Sequence, residues 1–233
     1  MTKLRIVNLP NKEALTEEKI IKSLNATEVL HEQFSITDLP NGMIGLAAAL
    51  PAATAVFDLA GSSLSIRNNG ALNYAADSQD LFRGLSNIIY MHDGIIEKFP
   101  GDGISMHFPA TNITKETAII RAYKAIKEMD WFLRDKKKMN KSQYRFTLTY
   151  GEDTIVTKFG NARHEEIISI GHAVNVAHKL EKQVKSGGYY IGMDDQCKPI
   201  IEKKWYDENY QREWMPDDLC RGDKLIEFWY GVK

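Results

Sequence analysis

Hydrophobic positions along the chain fall into short runs punctuated by polar turns, and the clearest pattern is Ile95 to Met106, IIEKFPGDGISM. Two apolar runs, Ile95-Ile96 and Ile104 to Met106, flank Pro100-Gly101-Asp102-Gly103. Proline presets φ and glycine tolerates φ > 0, so the stretch predicts a β-hairpin with a carboxylate on its tip. Upstream, residues 51–59 predict a buried strand that carries Asp58 near its end. TAVFDLAGSS, Thr54 to Ser63, then turns on small residues into a helical region that breaks at Asn68-Asn69-Gly70. A second helix is expected from Asp77 to His92, capped by Asp77 or Ser78, with Leu81, Leu85, Ile88 and Ile89 facing the core.

Beyond the hairpin, Thr111 or Thr114 caps a long helix. Its apolar positions Ala118, Ile119, Ala122, Ala125, Ile126, Met129 and Phe132 recur at spacings of three and four. The basic run Asp135 to Lys141 ends it as a solvated connection. Tyr144 to Tyr150 alternates like a strand, turns at Gly151-Glu152-Asp153 and continues over Thr154 to Phe159. A loop and short strand fill residues 160–170. A helix from Gly171 to Lys185 follows, with core face Ala173, Val176, Ala177, Leu180 and Val184. Asn175, Lys179 and Lys182 stand on an adjacent polar stripe. A strand at Tyr189 to Gly192, a helix after Met193 and a closing strand near Leu225 to Tyr230 complete the reading.

This order is βαββαβ, so the expected fold is α+β: a ferredoxin-like core with C-terminal αβ additions. In that arrangement the first and third strands are antiparallel neighbours, which brings Asp58 and Asp102 to one sheet edge. Residues 51–233 form the expected catalytic domain. Residues 1–50 read as an N-terminal arm for packing or dimerisation, with a helix from Thr16 to about His31 and a break at Leu39-Pro40-Asn41-Gly42.

Composition narrows the function classes. The net charge of −1 gives no global basic field for nucleic acid or a membrane surface. No apolar run reaches the roughly 18 residues of a membrane span, and MTKLRIVNLP lacks a signal-peptide core. Cys197 and Cys220 have no CxxC spacing, so a reduced, cytoplasmic protein is expected. His92, His107, His164 and His178 lack metal-ligand spacing and read as packing or surface residues.

Two aspartates converging on a small-residue turn suit a pair of hard divalent cations, which take oxygen ligands. Backbone N–H groups from Leu59 through Ala60, Gly61 and Ser62 to Ser63 would cradle a polyphosphate at a helix start. Paired ions about 3.5–4 Å apart stabilise both the attacking and the leaving oxygen of a displacement at phosphorus. The residues therefore suit metal-dependent phosphoryl or nucleotidyl transfer; the plain alternative is two surface aspartates in turns, where Asp is common.

TAVFDLAGSS, IIEKFPGDGISMHF, RFTLTYGEDTIVTKFGN and ISIGHAVNVAHKLEKQVKSGGYYIG resemble, in order, the motifs of the class III nucleotidyl cyclase catalytic domain. That resemblance implies conversion of a nucleoside triphosphate to a 3′,5′-cyclic monophosphate and pyrophosphate, in a head-to-tail homodimer with its sites at the interface. It places two divalent cations, Mg²⁺ or Mn²⁺, on Asp58 and Asp102 and the triphosphate on Gly61 to Ser63. It gives Lys98 the contact to the base, Asn175 the ribose, and Lys179 the charge on the α-phosphate, where the family carries arginine. Arg221 and Lys224 are candidates for the late triphosphate lysine.

Besides Lys179, three positions depart from the family's pattern. Ile168 stands where adenylate cyclases carry Asp, Thr or Ser and cannot accept a hydrogen bond from adenine. Phe57 is bulkier than the residue usual before the metal aspartate and would narrow the base site if it faced the pocket. His172 replaces an Asp. The compact format is similar to the pyrimidine cyclases of bacterial Pycsar anti-phage systems, which implies UTP or CTP as substrate and a separate cyclic-nucleotide effector. An adenylate cyclase with a divergent base pocket, and a catalytically dead cyclase-like nucleotide-binding or dimerisation module, stay open beside it.

Overall fold

The computed structural model describes residues 5–8, 46–61, 67–68, 70–161, 164–215 and 228–233. Its central sheet grows from β3 (Ala52–Leu59), β4 (Ile95–Lys98), β5 (Gly103–Pro109) and β6 (Tyr144–Gly151). β9 (Ile191–Met193), β10 (Tyr210–Trp214) and β11 (Phe228–Val232) extend it, giving the order β10-β11-β9-β6-β3-β5-β4. The segment β6-β3-β5-β4 is the expected ferredoxin-like core, with β3 antiparallel to both β5 and β6.

Side chains of a strand alternate between faces, and here the alternation sorts apolar from polar. Ala53, Ala55 and Phe57 of β3, Ile104, Met106 and Phe108 of β5, and Tyr144, Phe146, Leu148 and Tyr150 of β6 belong to one buried cluster. Two helices cover that face. α1 (Ala71–Met91) contributes Leu81, Leu85, Ile88 and Ile89, and α2 (Lys115–Trp131) contributes Ile119, Ala122, Ala125, Ile126 and Met129. The other face carries Thr54, Asp58, Ser105, His107, Arg145, Thr147 and Thr149, and α3 (His172–Ser186) packs across β6 and β3 there. Thr149 donates to the Ala173 carbonyl at 2.8 Å, which pins α3 to this polar face. A polar sheet face beneath a helix is costly unless its groups are paired; it is where the candidate site lies.

Several boundaries differ from the sequence reading. α1 begins at Ala71, with Gly70 at φ 82° and no side-chain cap, so Asp77 and Ser78 lie inside the helix. Thr114 is the cap of α2, accepting from the Thr117 N–H, and a π-helical turn over Phe132–Lys136 ends that helix. β7 (Ile155–Asn161) does not extend β6 but joins a second sheet, order β1-β2-β7-β8, with β8 (His164–Ile170), β1 (Arg5–Asn8) and β2 (Leu46–Ala49). The described parts of residues 1–50 are thus strands; the helix expected from Thr16 lies outside the described residues. α4 (Lys198–Glu202) is the short helix after Met193, and β10 is a strand the sequence pattern did not announce.

Candidate active site

The strand register settles where the two aspartates sit. Asp58 is the Cα partner of Gly103, so Asp102 on the hairpin tip is one residue from the position directly across. Opposed antiparallel Cα atoms lie about 4.5–5.5 Å apart, within reach for both carboxylates to face one ion. The close approach is enforced by Gly103, where a Cβ would stand 2.6 Å from the Phe57 carbonyl oxygen. Gly101, at φ 64°, makes the turn that presents Asp102.

Asp58 is also the Cα partner of Arg145 at the start of β6, and its carboxylate accepts from the guanidinium. The same Arg145 donates through Nε to Glu181 of α3 at 2.9 Å, with its own side chain 7% exposed. Burial raises the Asp58 carboxyl, Arg145 opposes that, and Glu181 and Asp102 add to it, leaving the group at about 6. One guanidinium therefore serves carboxylates that repel one another. The shortfall of positive charge, and the all-oxygen donor set, fit hard divalent cations. Among the described residues no set of three His, Cys, Asp or Glu side chains gathers as a metal site.

The turn after β3, expected to cradle phosphate, is described as far as Gly61. Ala60 donates its N–H to the Gln143 carbonyl at 2.8 Å, so that amide belongs to the sheet edge and not to a cradle. Leu59 packs on the apolar core, while Gly61, at φ 82°, turns the chain. Ser62, Ser63, Arg221 and Lys224 lie outside the described residues. Beside Ala60 a cavity of about 270 Å³ is lined by Lys141, Arg145, Lys185 and Lys233 together with Tyr144 and Tyr190. Among the described residues its lining includes four cationic side chains and no acidic side chain. Lys141 Nζ stands 3.8 Å above the Tyr190 ring, and burial holds its ammonium below the ordinary lysine value.

Phe57 is a correction. It is fully buried on the helix-covered face, with its ring 5.3 Å from Phe146 and 6.4 Å from Phe82, so it neither faces nor narrows a base site. Ile168 is half-buried on β8. On α3, Glu181 reaches Asp58 through Arg145, while Asn175 is exposed and Lys179 half-buried. The histidines are better partnered than their spacing suggested: His92 Nε2 lies 2.7 Å from Glu128, and His107 Nδ1 lies 3.0 Å from Thr54 Oγ1.

The sequence reading missed Arg145, Glu181 and Glu97. Arg145 was accessible: with the first and fourth strands adjacent, the first residues of RFTLTYG must lie beside Asp58. Glu97 was not, because its placement depends on a β-bulge. β4 pairs Ile96 with Met106 but Lys98 with Ser105, so Glu97 is an extra residue. Its buried carboxylate accepts from Ser105 at 2.7 Å and from the Ser169 N–H of β8 at 2.8 Å.

No protein-family model matches the chain, and no curated protein does. Solved structures do. The adenylyl cyclase CyaB from P. aeruginosa matches at TM-score 0.60 and 18% identity, over 78% of this chain and 94% of that one. The guanylyl cyclase Cya2 matches at TM-score 0.59 and 19% identity, over 78% and 91%. The guanylate cyclase domain of RhGC from Catenaria anguillulae, solved in complex with GTP, matches at TM-score 0.60 and 17% identity, over 79% and 97%. The chain has the fold of the class III nucleotidyl cyclase catalytic domain.

Proposed function

We propose that this protein is a metal-dependent nucleotidyl cyclase that converts a nucleoside triphosphate to its 3′,5′-cyclic monophosphate and pyrophosphate. The observation that carries this reading is the opposition of Asp58 to Gly103, which sets two carboxylates at one sheet edge on a cyclase fold. Asp58 and Asp102 would hold Mg²⁺ or Mn²⁺, which supply a lowered pKa for the ribose 3′-hydroxyl and charge neutralisation on the triphosphate. In the reaction the 3′-oxygen bonds the α-phosphorus, and the bridging oxygen leaves with pyrophosphate. Arg145, released from Asp58, and the cationic cavity beside Ala60 offer charge to the terminal phosphates.

Asn175 would orient the ribose and Lys179 would neutralise charge on the α-phosphate, though a lysine lacks the fork of an arginine. The resemblance to the cyclase motifs supports a head-to-tail homodimer in which a second copy supplies them. Lys98 and Ile168 would border the base. An aliphatic Ile168 favours a pyrimidine, UTP or CTP, and with it a second-messenger role in anti-phage defence through a separate effector. An adenylate cyclase with a divergent base pocket is the second reading; the likeness to an adenylyl cyclase and to a cyclase core in complex with ATPαS favours it. A dead module is disfavoured by the intact aspartate pair.

The test is to incubate the purified protein with each of the four nucleoside triphosphates and Mn²⁺ and identify products by mass spectrometry. A cyclic pyrimidine nucleotide is expected, and Asp58→Ala should abolish it while leaving the fold intact. A product from ATP alone removes the pyrimidine assignment; turnover undiminished in Asp58→Ala removes the two-ion mechanism.

A further inference from the structure

Glu97 has a fully buried side chain at the end of an edge strand, and both its oxygens are engaged. Oε1 accepts from the Ser169 N–H at 2.8 Å and lies 3.3 Å from Lys98 Nζ. Oε2 accepts from the Ser105 hydroxyl at 2.7 Å and lies 3.4 Å from His107 Nε2, too poorly aligned for a hydrogen bond. Burial acts to raise this carboxyl, but His107, the Ser169 N–H and Ser105 outweigh it and hold it well below the usual carboxylate range. A buried charge with this many donors is fixed in place.

What it fixes is specific. In a regular ladder Lys98 would fall opposite Ile104 and point with Ile96 toward the apolar face. The bulge instead sets Lys98 opposite Ser105, so Glu97 and Lys98 both address the polar face. The second strand that Glu97 grips is β8, at the residue following Ile168. Across from them, His178 of α3 feels both Glu97 and Lys98, so all three share one neighbourhood.

We propose that Glu97 is a positioning residue for base selection: its carboxylate clips the bulged end of β4, which carries Lys98, to β8, which carries Ile168, and so fixes the gap in which a nucleobase is read. This rests on the cyclase reading for the identity of the ligand, a nucleoside triphosphate. Glu97 itself touches no substrate. Selection between bases by a pocket of this kind depends on sub-ångström placement of its walls.

Glu97→Asp and Glu97→Gln separate the clip from the charge. Aspartate keeps the charge but is one methylene too short to span from β4 to the Ser169 N–H. Glutamine keeps the length, with its carbonyl on Ser169 and its amide on the rotatable Ser105 hydroxyl. The readout is equilibrium binding of the four 3′-deoxynucleoside triphosphates, which cannot cyclise, in the presence of Mn²⁺, alongside turnover of the ordinary substrates. Wild type should prefer one base; Glu97→Asp should cut that preference about tenfold, and Glu97→Gln should keep it within about threefold.

Uniform weakening for all four bases in Glu97→Asp, or no change, overturns the proposal, as does a wild type without base preference. If Glu97→Asp does not fold, Ser105→Ala, which removes one donor from the same carboxylate, carries the test: a narrowing of at least about threefold supports the clip and none overturns it. Selective binding without turnover sinks the cyclase reading and leaves the clip standing; absence of any nucleotide binding sinks both.

Discussion

Arg145 and Glu97 show how single residues manage charge on the polar sheet face. Arg145 bridges Asp58 and Glu181 with its side chain nearly buried, so truncation leaves two carboxylates facing each other without a counter-charge. Arg145→Ala should destabilise the metal-free protein by about 3 kcal/mol in urea denaturation. Added Mn²⁺ should restore more stability to this variant than to wild type, because the ion then has no competitor for Asp58. Glu97 makes a prediction in pH. Its folded carboxyl lies below the ordinary value of 4.5, so the unfolded chain takes up the proton first as pH falls. Its contribution to stability is complete above about pH 4.5 and drains away below it. Denaturation midpoints measured from pH 6 to pH 3 should fall less steeply for Glu97→Gln than for wild type. Asp58, Asp102 and Lys98 were legible in the sequence because a turn tetrad and a strand end mark them. Glu181 was not, since nothing in a helix pattern says which polar residue meets a strand.

At the scale of elements, legibility followed burial. Most of the core faces of α2 and α3 was legible, because their apolar stripes are wide and pack on a sheet, though buried Tyr123, Asp130 and Val174 were not read. The first turns of α1 were missed because they bury little: Leu72 is 84% exposed, so no stripe announces them. β10 was missed for the same reason, its YQREW reading as polar because it closes the sheet edge with no residue fully buried. The joining of β7 to a second sheet was hidden because partner choice between strands is a tertiary matter. Glycines at strand contacts yield the sharpest element-level test. Gly103→Ala would drive a methyl group into the Phe57 carbonyl and part β5 from β3. It should cost about 1–3 kcal/mol of stability and depress turnover more than stability alone explains, with Asp58 and Asp102 both still present. Thermal denaturation and cyclisation rates measured on the same preparation check it.

For the molecule as a whole, the division of the sheet into an apolar and a polar face sets what a single copy can do. The apolar face spends itself on α1 and α2 and makes the fold stable; the polar face collects Asp58, Asp102, Arg145 and Lys98. On α3, Asn175 is exposed and Lys179 half-buried. If two copies complete each other's sites, mixing Asp58→Ala with Lys179→Ala chains leaves one intact site in each mixed dimer. Random exchange then restores about a quarter of wild-type turnover, from variants that are each inactive alone. Titrating the two proteins against each other measures this directly, and no recovery would mean that each copy works by itself.

The guanidinium that rests on Asp58 has a consequence for the proposed metal site. If Asp58 holds a divalent ion as proposed, that ion and Arg145 are rivals for one carboxylate, and the arginine already sits in the socket as a plug. Under the proposed function, responsiveness to free Mg²⁺ or Mn²⁺ would be graded by that contest, and loosening the plug would let scarcer metal bind.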